Sequence, residues 1–169
     1  MGLLPVAAIR SQIEEELPAA RGWAERHGCR LEYDEEEVRL RVALSGPGGE
    51  PYLLEGVFDD YPTLPPCWRF VDPRSGERIG RAAYPRPADP YPRGSALVIE
   101  SGTEGVVVCA HFNRLAFAEQ GGPHGDWGPL ANWRNPGSSA YTFAETIGDM
   151  LSRIALEVGD SSGRMGELP

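Results

Sequence analysis

Apolar side chains recur every three to four residues near both ends of the chain, a period that is typical of amphipathic helices. The first predicted helix spans residues 4–27, where Glu16 and its two acidic neighbours fall on the polar side. Pro18 lies inside this segment, so we expect a kink or a division into two shorter helices. The second predicted helix spans residues 139–158. The apolar stripes that carry these predictions are Ile9, Ile13, Leu17 and Trp23 in the first segment, and Phe143, Ile147, Met150, Leu151 and Ile154 in the second.

Short segments between the two helices alternate apolar and polar residues, which is the pattern of half-buried antiparallel strands. The order of helix, strands and helix predicts an α+β fold, an antiparallel β-meander of about four strands flanked by N-terminal and C-terminal helices. We expect a single domain over residues 1–159 and a flexible tail over residues 160–169. The predicted strands are residues 29–33, 38–44, 52–58 and 67–71, with a hairpin formed by residues 96–99 and 106–110.

Residues 61–66 read Y-P-T-L-P-P and lead the chain into the predicted strand at residues 67–71. Each proline fixes its own φ and pushes the preceding residue toward extended geometry, so this segment is a stiff, extended lead-in. Alternation along the strand places Trp68 and Phe70 on the core face and Cys67 on the opposite face. Cys67 is therefore either an inert packed cysteine or a residue available for chemistry.

The composition excludes several classes of function. A net charge of −9 argues against nucleic-acid binding and against anionic membrane surfaces, since both need a basic face on the protein. No apolar run approaches the roughly 20 residues of a transmembrane helix. We therefore expect a cytoplasmic protein, in which the three cysteines cannot all form disulfides with one another and are free, metal-bound or catalytic.

The element order and the Y-P-T-L-P-P segment resemble the ubiquitin-conjugating-enzyme (UBC) fold and its inactive RWD relatives, over residues 5–158. Residues 105–110 read G-V-V-V-C-A and stand where the catalytic cysteine of that family falls. The family's His-Pro-Asn motif is missing, since residues 97–105 read L-V-I-E-S-G-T-E-G. Its asparagine supports the oxyanion when a lysine attacks the thioester, and losing one such donor costs on the order of 100-fold in rate. The resemblance thus implies the fold together with a changed active-site region.

Cys67, Glu100, His111 and His124 occur in an order that resembles a bacterial predicted metal-binding family named for these four residue types. Genes of that family accompany bacterial ubiquitin-like conjugation and deconjugation operons. The resemblance implies an accessory protein of such a system, with a role in antiphage defence. Its implied partners are the ubiquitin-like protein or the enzymes that conjugate and deconjugate it. A thiolate, a carboxylate and two neutral imidazoles suit a tetrahedral zinc ion, so zinc is the implied metal.

Cys109 leaves several alternatives open. Two residues apart on a strand, Cys109 and His111 would share a face, and a histidine beside a thiol can activate it as a nucleophile. An active conjugating enzyme would then form a thioester on Cys109. The same cysteine could instead replace Cys67 as a metal ligand, or continue the apolar run of the preceding valines into the core. Asp126 or Asn113 could orient an imidazole of the metal site. A non-catalytic interaction module of the RWD type is the remaining alternative.

Overall fold

The structure is a computed structural model of the chain, and it describes residues 2–88, 97, 106–119, 127–135 and 146–167. It confirms the α+β fold class: four antiparallel strands lie in the order β1-β2-β3-β4, flanked by an N-terminal and a C-terminal helix. The strands are β1 (Arg30–Asp34), β2 (Arg39–Ser45), β3 (Pro51–Val57) and β4 (Cys67–Val71). The α-helices are α1 (Val6–Arg26), α2 (Arg114–Glu119) and α3 (Ile147–Gly159), and single 3-10 turns occur at Arg81–Ala83 and Leu130–Asn132.

Helix α1 runs without interruption through Pro18, although the sequence predicts a kink or a break there. Pro18 is exposed, so its ring takes no space from the core, and the cost is confined to the local backbone. The opposite side of the helix buries Ile13, Leu17 and Ala20 against the rest of the core. Burial of this apolar stripe offsets the local cost of the proline and keeps the helix in one piece.

The sheet packs one face against the core, and its other, outer face carries most of the charged residues of the strands. Leu40, Leu54, Trp68 and Phe70 are at most 1% exposed, and they share one core with both long helices. The pairing register aligns charged residues on the outer face, where strand neighbours attract one another. These neighbours form one row of alternating charge across all four strands: Glu32, Arg41, Glu55 and Arg69.

Among the described residues, the outer edge of β4 is closed by side-chain and backbone contacts and not by a further strand. The Trp68 backbone N–H donates to Asn113 Oδ1 at 2.8 Å, and Asn113 Nδ2 donates to the Trp68 carbonyl at 3.0 Å. Further along the strand, the Ile79 N–H donates to the Phe70 carbonyl at 3.0 Å. Hydrogen-bonding groups on an open edge would invite pairing with another chain, and these contacts satisfy them.

The second half of the chain differs from the sequence-based prediction in three places. Residues 106–110, predicted as a hairpin strand, belong to no strand, and four of the five are buried. Of its predicted partner strand only Leu97 lies within the described residues, and it is buried. Helix α3 begins at Ile147, because Thr146 and Asp149 form a reciprocal capping box; residues 139–145 of the predicted helix lie outside the described residues. The short helix α2 was not predicted.

The segment expected to be a flexible tail is anchored over residues 161–166. Ser161 is buried, and the Ser162 N–H donates to the Arg86 carbonyl at 3.0 Å. The Met165 N–H donates to the Tyr84 carbonyl at 3.0 Å. These backbone contacts form a short ladder beside residues 82–86 that the composition of the tail does not predict. Within the described residues, no helix has the length and hydropathy needed to cross a membrane.

Candidate functional site

Cys67 is the first residue of β4 and lies on the outer face of the sheet, as the alternation of the strand predicts. Its neighbours Trp68 and Phe70 are buried, while Cys67 is partly exposed. Its strand partner is Val57, at the end of β3. Cys67 is thus partly exposed at the point where the proline lead-in joins the sheet. Contrary to the sequence-based prediction, the lead-in is not extended throughout: residues 59–63 form a turn, in which the Leu64 N–H donates to the Asp60 carbonyl at 3.0 Å.

Arg114, the first residue of α2, contacts the Cys67 sulfur. Its Nε lies 3.4 Å from Sγ, and its Nη1 lies 3.2 Å from a carboxylate oxygen of Asp60. The same guanidinium also pairs with Asp59. Burial alone would lower the pKa of Arg114, but its contacts with Cys67 and Asp59 raise it above the usual value. The sulfur therefore lies among charged groups, unlike an inert cysteine packed in an apolar core.

His111 is 3% exposed, and its Nδ1 lies 2.8 Å from the carbonyl oxygen of Trp133. A carbonyl can only accept, so Nδ1 carries the proton, and in the neutral ring the lone pair is on Nε2. Metal-bound histidines in proteins are oriented in this way, with one ring nitrogen donating to a carbonyl or carboxylate while the other faces the ion. The tautomer of His111 is thus the one that a metal ligand through Nε2 requires.

The carbonyl that orients His111 is itself positioned by the proline lead-in. The Trp133 indole N–H donates to the Pro62 carbonyl at 3.2 Å, and the Trp133 side chain is 1% exposed. Trp133 also packs near the Tyr61 ring, with the centroids 6.2 Å apart. The Y-P-T-L-P-P segment therefore fixes, through Trp133, the ring orientation of a candidate metal ligand.

Of the four candidate ligands, the structure describes Cys67 and His111, whereas Glu100 and His124 lie outside the described residues. Among the described residues, no three histidine, cysteine, aspartate or glutamate side chains come close enough together to hold a metal ion. Asp126, a candidate for orienting an imidazole, also lies outside the described residues.

Asn113 has a different role from the one that the sequence suggests. Its side chain donates to the carbonyls of Trp68 and Val108, at 3.0 Å and 2.7 Å. Its Oδ1 accepts from the N–H groups of Trp68 and Leu115, at 2.8 Å and 3.2 Å. Two donors and two acceptor positions are the full capacity of an amide side chain, so Asn113 orients backbone and not an imidazole. It joins the strand that carries Cys67 to the segment that carries His111.

Cys109 packs against an apolar cluster separate from the main core. The cluster consists of Val107, Ala116, Phe117 and Trp127, with Cys109 at its partly exposed border. Because residues 106–110 are not a strand, the expectation that Cys109 and His111 share a strand face does not apply. His111 instead contacts Trp133, which belongs to the main core. Cys109 thus does not follow Val106 and Val108 into the main core. Its roles as nucleophile or metal ligand stay predictions.

Two contacts of this region were not found from the sequence, namely Arg114 with Cys67 and the Trp133 carbonyl with His111. The first joins residues 47 positions apart and the second joins residues 22 positions apart, so no local pattern reveals either one. Comparison of the chain with protein-family models gives no match, and comparison with curated proteins gives none either.

Proposed function

We propose that this protein is a zinc-binding accessory protein of the UBC/RWD-like class that serves a bacterial ubiquitin-like conjugation system with a role in antiphage defence. The observation that carries the zinc part is the hydrogen bond from His111 Nδ1 to the Trp133 carbonyl, 2.8 Å long. It gives His111 the tautomer that zinc ligands use. The fold part rests on the α+β arrangement and on the Y-P-T-L-P-P segment that precedes β4.

Cys67, Glu100, His111 and His124 would hold the metal. Their donor set of one thiolate, one carboxylate and two imidazoles matches what zinc takes in proteins. Four protein ligands would make a closed, structural site, which stabilises the fold directly. A zinc ion held in this way would cross-link the start of β4 to the segments that follow, and the protein would act by presenting a surface to its partner.

The metal content of purified protein tests the zinc part, and the chain offers matched controls. His111→Asn keeps an N–H donor near the position of Nδ1, so the contact to Trp133 survives while Nε2 is removed. Cys67→Ser removes the sulfur with almost no change of shape. His27→Gln and Cys29→Ser are the controls, because both residues stand outside the proposed quartet.

We expect about one zinc ion per chain by elemental mass spectrometry for the unaltered protein and for both controls, since a structural zinc site binds its metal tightly. We expect a large loss of zinc for His111→Asn and Cys67→Ser. Metal-free protein with unchanged stability would contradict the zinc proposal, and equal zinc content in all variants would contradict the assignment of ligands.

Co-purification with the ubiquitin-like protein of the same operon tests the accessory role. A stable complex that carries no thioester supports it. A reducible adduct on Cys109, abolished by Cys109→Ser, would instead identify an active conjugating enzyme. Partner binding by a zinc-free protein would identify an interaction module of the RWD type.

A further inference from the structure

A groove of about 330 Å³ lies at the end of β4 opposite Cys67. Its floor is formed by Ala43, Leu53 and Val71, which occupy neighbouring positions on the outer face of three strands. Ile79 and Arg164 also line it. Its volume is within the usual range of small-molecule sites, which are mostly apolar with a few polar groups that orient the ligand.

Arg164 is the cation of this groove, and its guanidinium forms no ion pair within the described part of the chain. Its Nη2 donates to the Pro51 carbonyl at 3.2 Å, and its guanidinium lies 5.6 Å from the centre of the Tyr52 ring. Its Nε is buried without a hydrogen-bond partner. The nearby Glu167 carboxylate accepts from the Arg164 backbone N–H at 3.3 Å and forms no ion pair with the guanidinium. A guanidinium in this position favours a ligand with a negative charge.

Asp72 is the acidic residue that lines the groove, and its carboxylate is already engaged. Its Oδ1 accepts from the backbone N–H groups of Ser75 and Arg74, at 2.9 Å and 2.7 Å. These two hydrogen bonds hold the pKa of Asp72 below its usual value. The Asp72 carboxylate is thus hydrogen-bonded within its own turn and forms no ion pair with Arg164.

We propose that this groove binds a carboxylate with an apolar body, whose charged end pairs with Arg164 while its apolar end covers Ala43, Leu53 and Val71. Arg164 supplies the planar donor geometry that matches a carboxylate, and the floor supplies apolar contact area. The carboxylate is that of a free small molecule, for which a groove of about 330 Å³ has a suitable size. The proposal goes beyond the proposed zinc-dependent role and does not rely on it, because neither Cys67 nor His111, the two candidate ligands that the structure describes, lines the groove.

Titration of the full chain with hexanoate, followed by backbone amide chemical shifts, tests the proposal. A ligand of this size binds in the millimolar range at best, so saturation is expected below about 50 mM. The shifts are expected at Ala43, Leu53 and Val71. Hexanol, which keeps the apolar body without the charge, should bind at least about tenfold more weakly, given the strength of hydrogen bonds to charged groups.

Two variants and one control distinguish the contribution of the Arg164 charge to binding from that of the open volume of the groove. Arg164→Gln removes the charge and should weaken hexanoate binding about tenfold or more. Ala43→Leu fills the groove from the exposed sheet face, leaves Arg164 unaltered, and should weaken hexanoate to a similar degree. Arg81→Gln is the control, since Arg81 is exposed and lies two residues before Ala83 without lining the groove itself.

The dipeptide Ala-Leu, acetylated at its N-terminus, tests the assignment to a small molecule. Tighter binding of the free acid than of hexanoate, lost in the C-terminal amide, would identify a peptide terminus as the ligand and overturn that assignment. Equal or weaker binding than hexanoate would identify a small molecule. The proposal is overturned by hexanoate shifts that do not saturate, by equal binding of hexanol, or by unchanged hexanoate affinity in both Arg164→Gln and Ala43→Leu.

Discussion

The Tyr61 hydroxyl donates to the Glu16 carboxylate, at 2.7 Å from Oε1 and 2.8 Å from Oε2. The Ile147 N–H donates to the same carboxylate at 2.7 Å, so Glu16 holds the first turn of α3 as well. Burial and the charge of Glu16 raise the pKa of Tyr61 far above its usual value, which keeps the hydroxyl protonated as a donor. One carboxylate on α1 therefore joins the proline lead-in to the start of α3.

Tyr61→Phe should lower the free energy of unfolding by about 1–2 kcal/mol, because the change removes a hydrogen bond to a buried, charged acceptor. Chemical denaturation monitored by circular dichroism measures it. Tyr33→Phe is the matched control, because the Tyr33 hydroxyl is buried without a hydrogen-bond partner in the described structure, and its loss should cost nothing. Equal effects of the two variants would show that the contact with Glu16 does not stabilise the fold.

Sequence patterns predict the parts of this fold that depend on near neighbours. The α+β class, the four strands and the outward direction of Cys67 follow from alternation over five to seven residues, and the structure confirms them. Glu16 illustrates where this fails. The helical pattern places it on the polar side, yet its side chain is only 11% exposed, because Tyr61 and Ile147 reach it from distant parts of the chain.

In the candidate site, too, the sequence predicts some residues and misses those that come from distant parts of the chain. The sequence suggests Cys67 and His111 as ligands, but the groups that orient them come from elements that no periodicity specifies. Arg114 lies in a helix of six residues, too short to show an apolar period, and Trp133 follows a single 3-10 turn. Only the folded chain brings Arg114 to the sulfur and the Trp133 carbonyl to the imidazole.

Asn113→Ala should destabilise the protein by about 3 kcal/mol, because it leaves the N–H and the carbonyl of Trp68 buried without partners. The Val108 carbonyl loses the bond from Asn113 but keeps the one from the Ala110 N–H. The measurement is the midpoint of denaturant unfolding. The variant should also increase hydrogen exchange at the Trp68 amide, which donates directly to Asn113. Asn132→Ala, at an exposed position, should change stability by less than about 0.5 kcal/mol. Unchanged exchange at Trp68 would contradict the proposed closure of the β4 edge.

Because of Glu55, we expect the stability of the fold to decrease at acidic pH. It is completely buried at the centre of the outer face, 2.6 Å from Arg69 and 2.8 Å from Arg41. Burial alone would raise the pKa of Glu55, but hydrogen bonds from Arg69 and Arg41 outweigh it and lower the pKa below its usual value. A carboxylate whose pKa is lower in the folded than in the unfolded state stabilises the folded protein at pH values above the unfolded pKa. This stabilisation is lost as the pH falls through the lower, folded-state pKa.

In Glu55→Gln the free energy of unfolding should therefore fall less steeply with decreasing pH below about pH 4.5, where the carboxylate of the unfolded chain takes up its proton. At neutral pH the same change should cost about 1–2 kcal/mol, a modest figure because the arginines are about one-third exposed and can regain water. Urea unfolding at a series of pH values measures both effects. Glu36→Gln, in an exposed turn, should keep the pH dependence of the unaltered protein. If the pH dependence of the free energy of unfolding were the same for Glu55→Gln as for the unaltered protein, Glu55 would not be the source of the acid sensitivity.

Substitution by alanine should lower the stability of the protein at Gly56 and raise it at Gly148. Gly56 faces Trp68 across β3 and β4, and a Cβ there would lie 2.6 Å from the Trp68 ring and 2.9 Å from the Phe58 ring. Both rings are completely buried, so neither can move aside, and Gly56→Ala should cost about 2–3 kcal/mol.

Gly148 lies in the first turn of α3, where the nearest atom to an added Cβ is Thr146 Oγ1 at 3.8 Å. Gly148→Ala should raise stability by about 0.5–1 kcal/mol, because alanine loses less backbone entropy in a helix. The difference between the two unfolding midpoints in urea measures the contrast. A Gly56→Ala protein as stable as the unaltered one would mean that Trp68 does not pack directly on the backbone of β3.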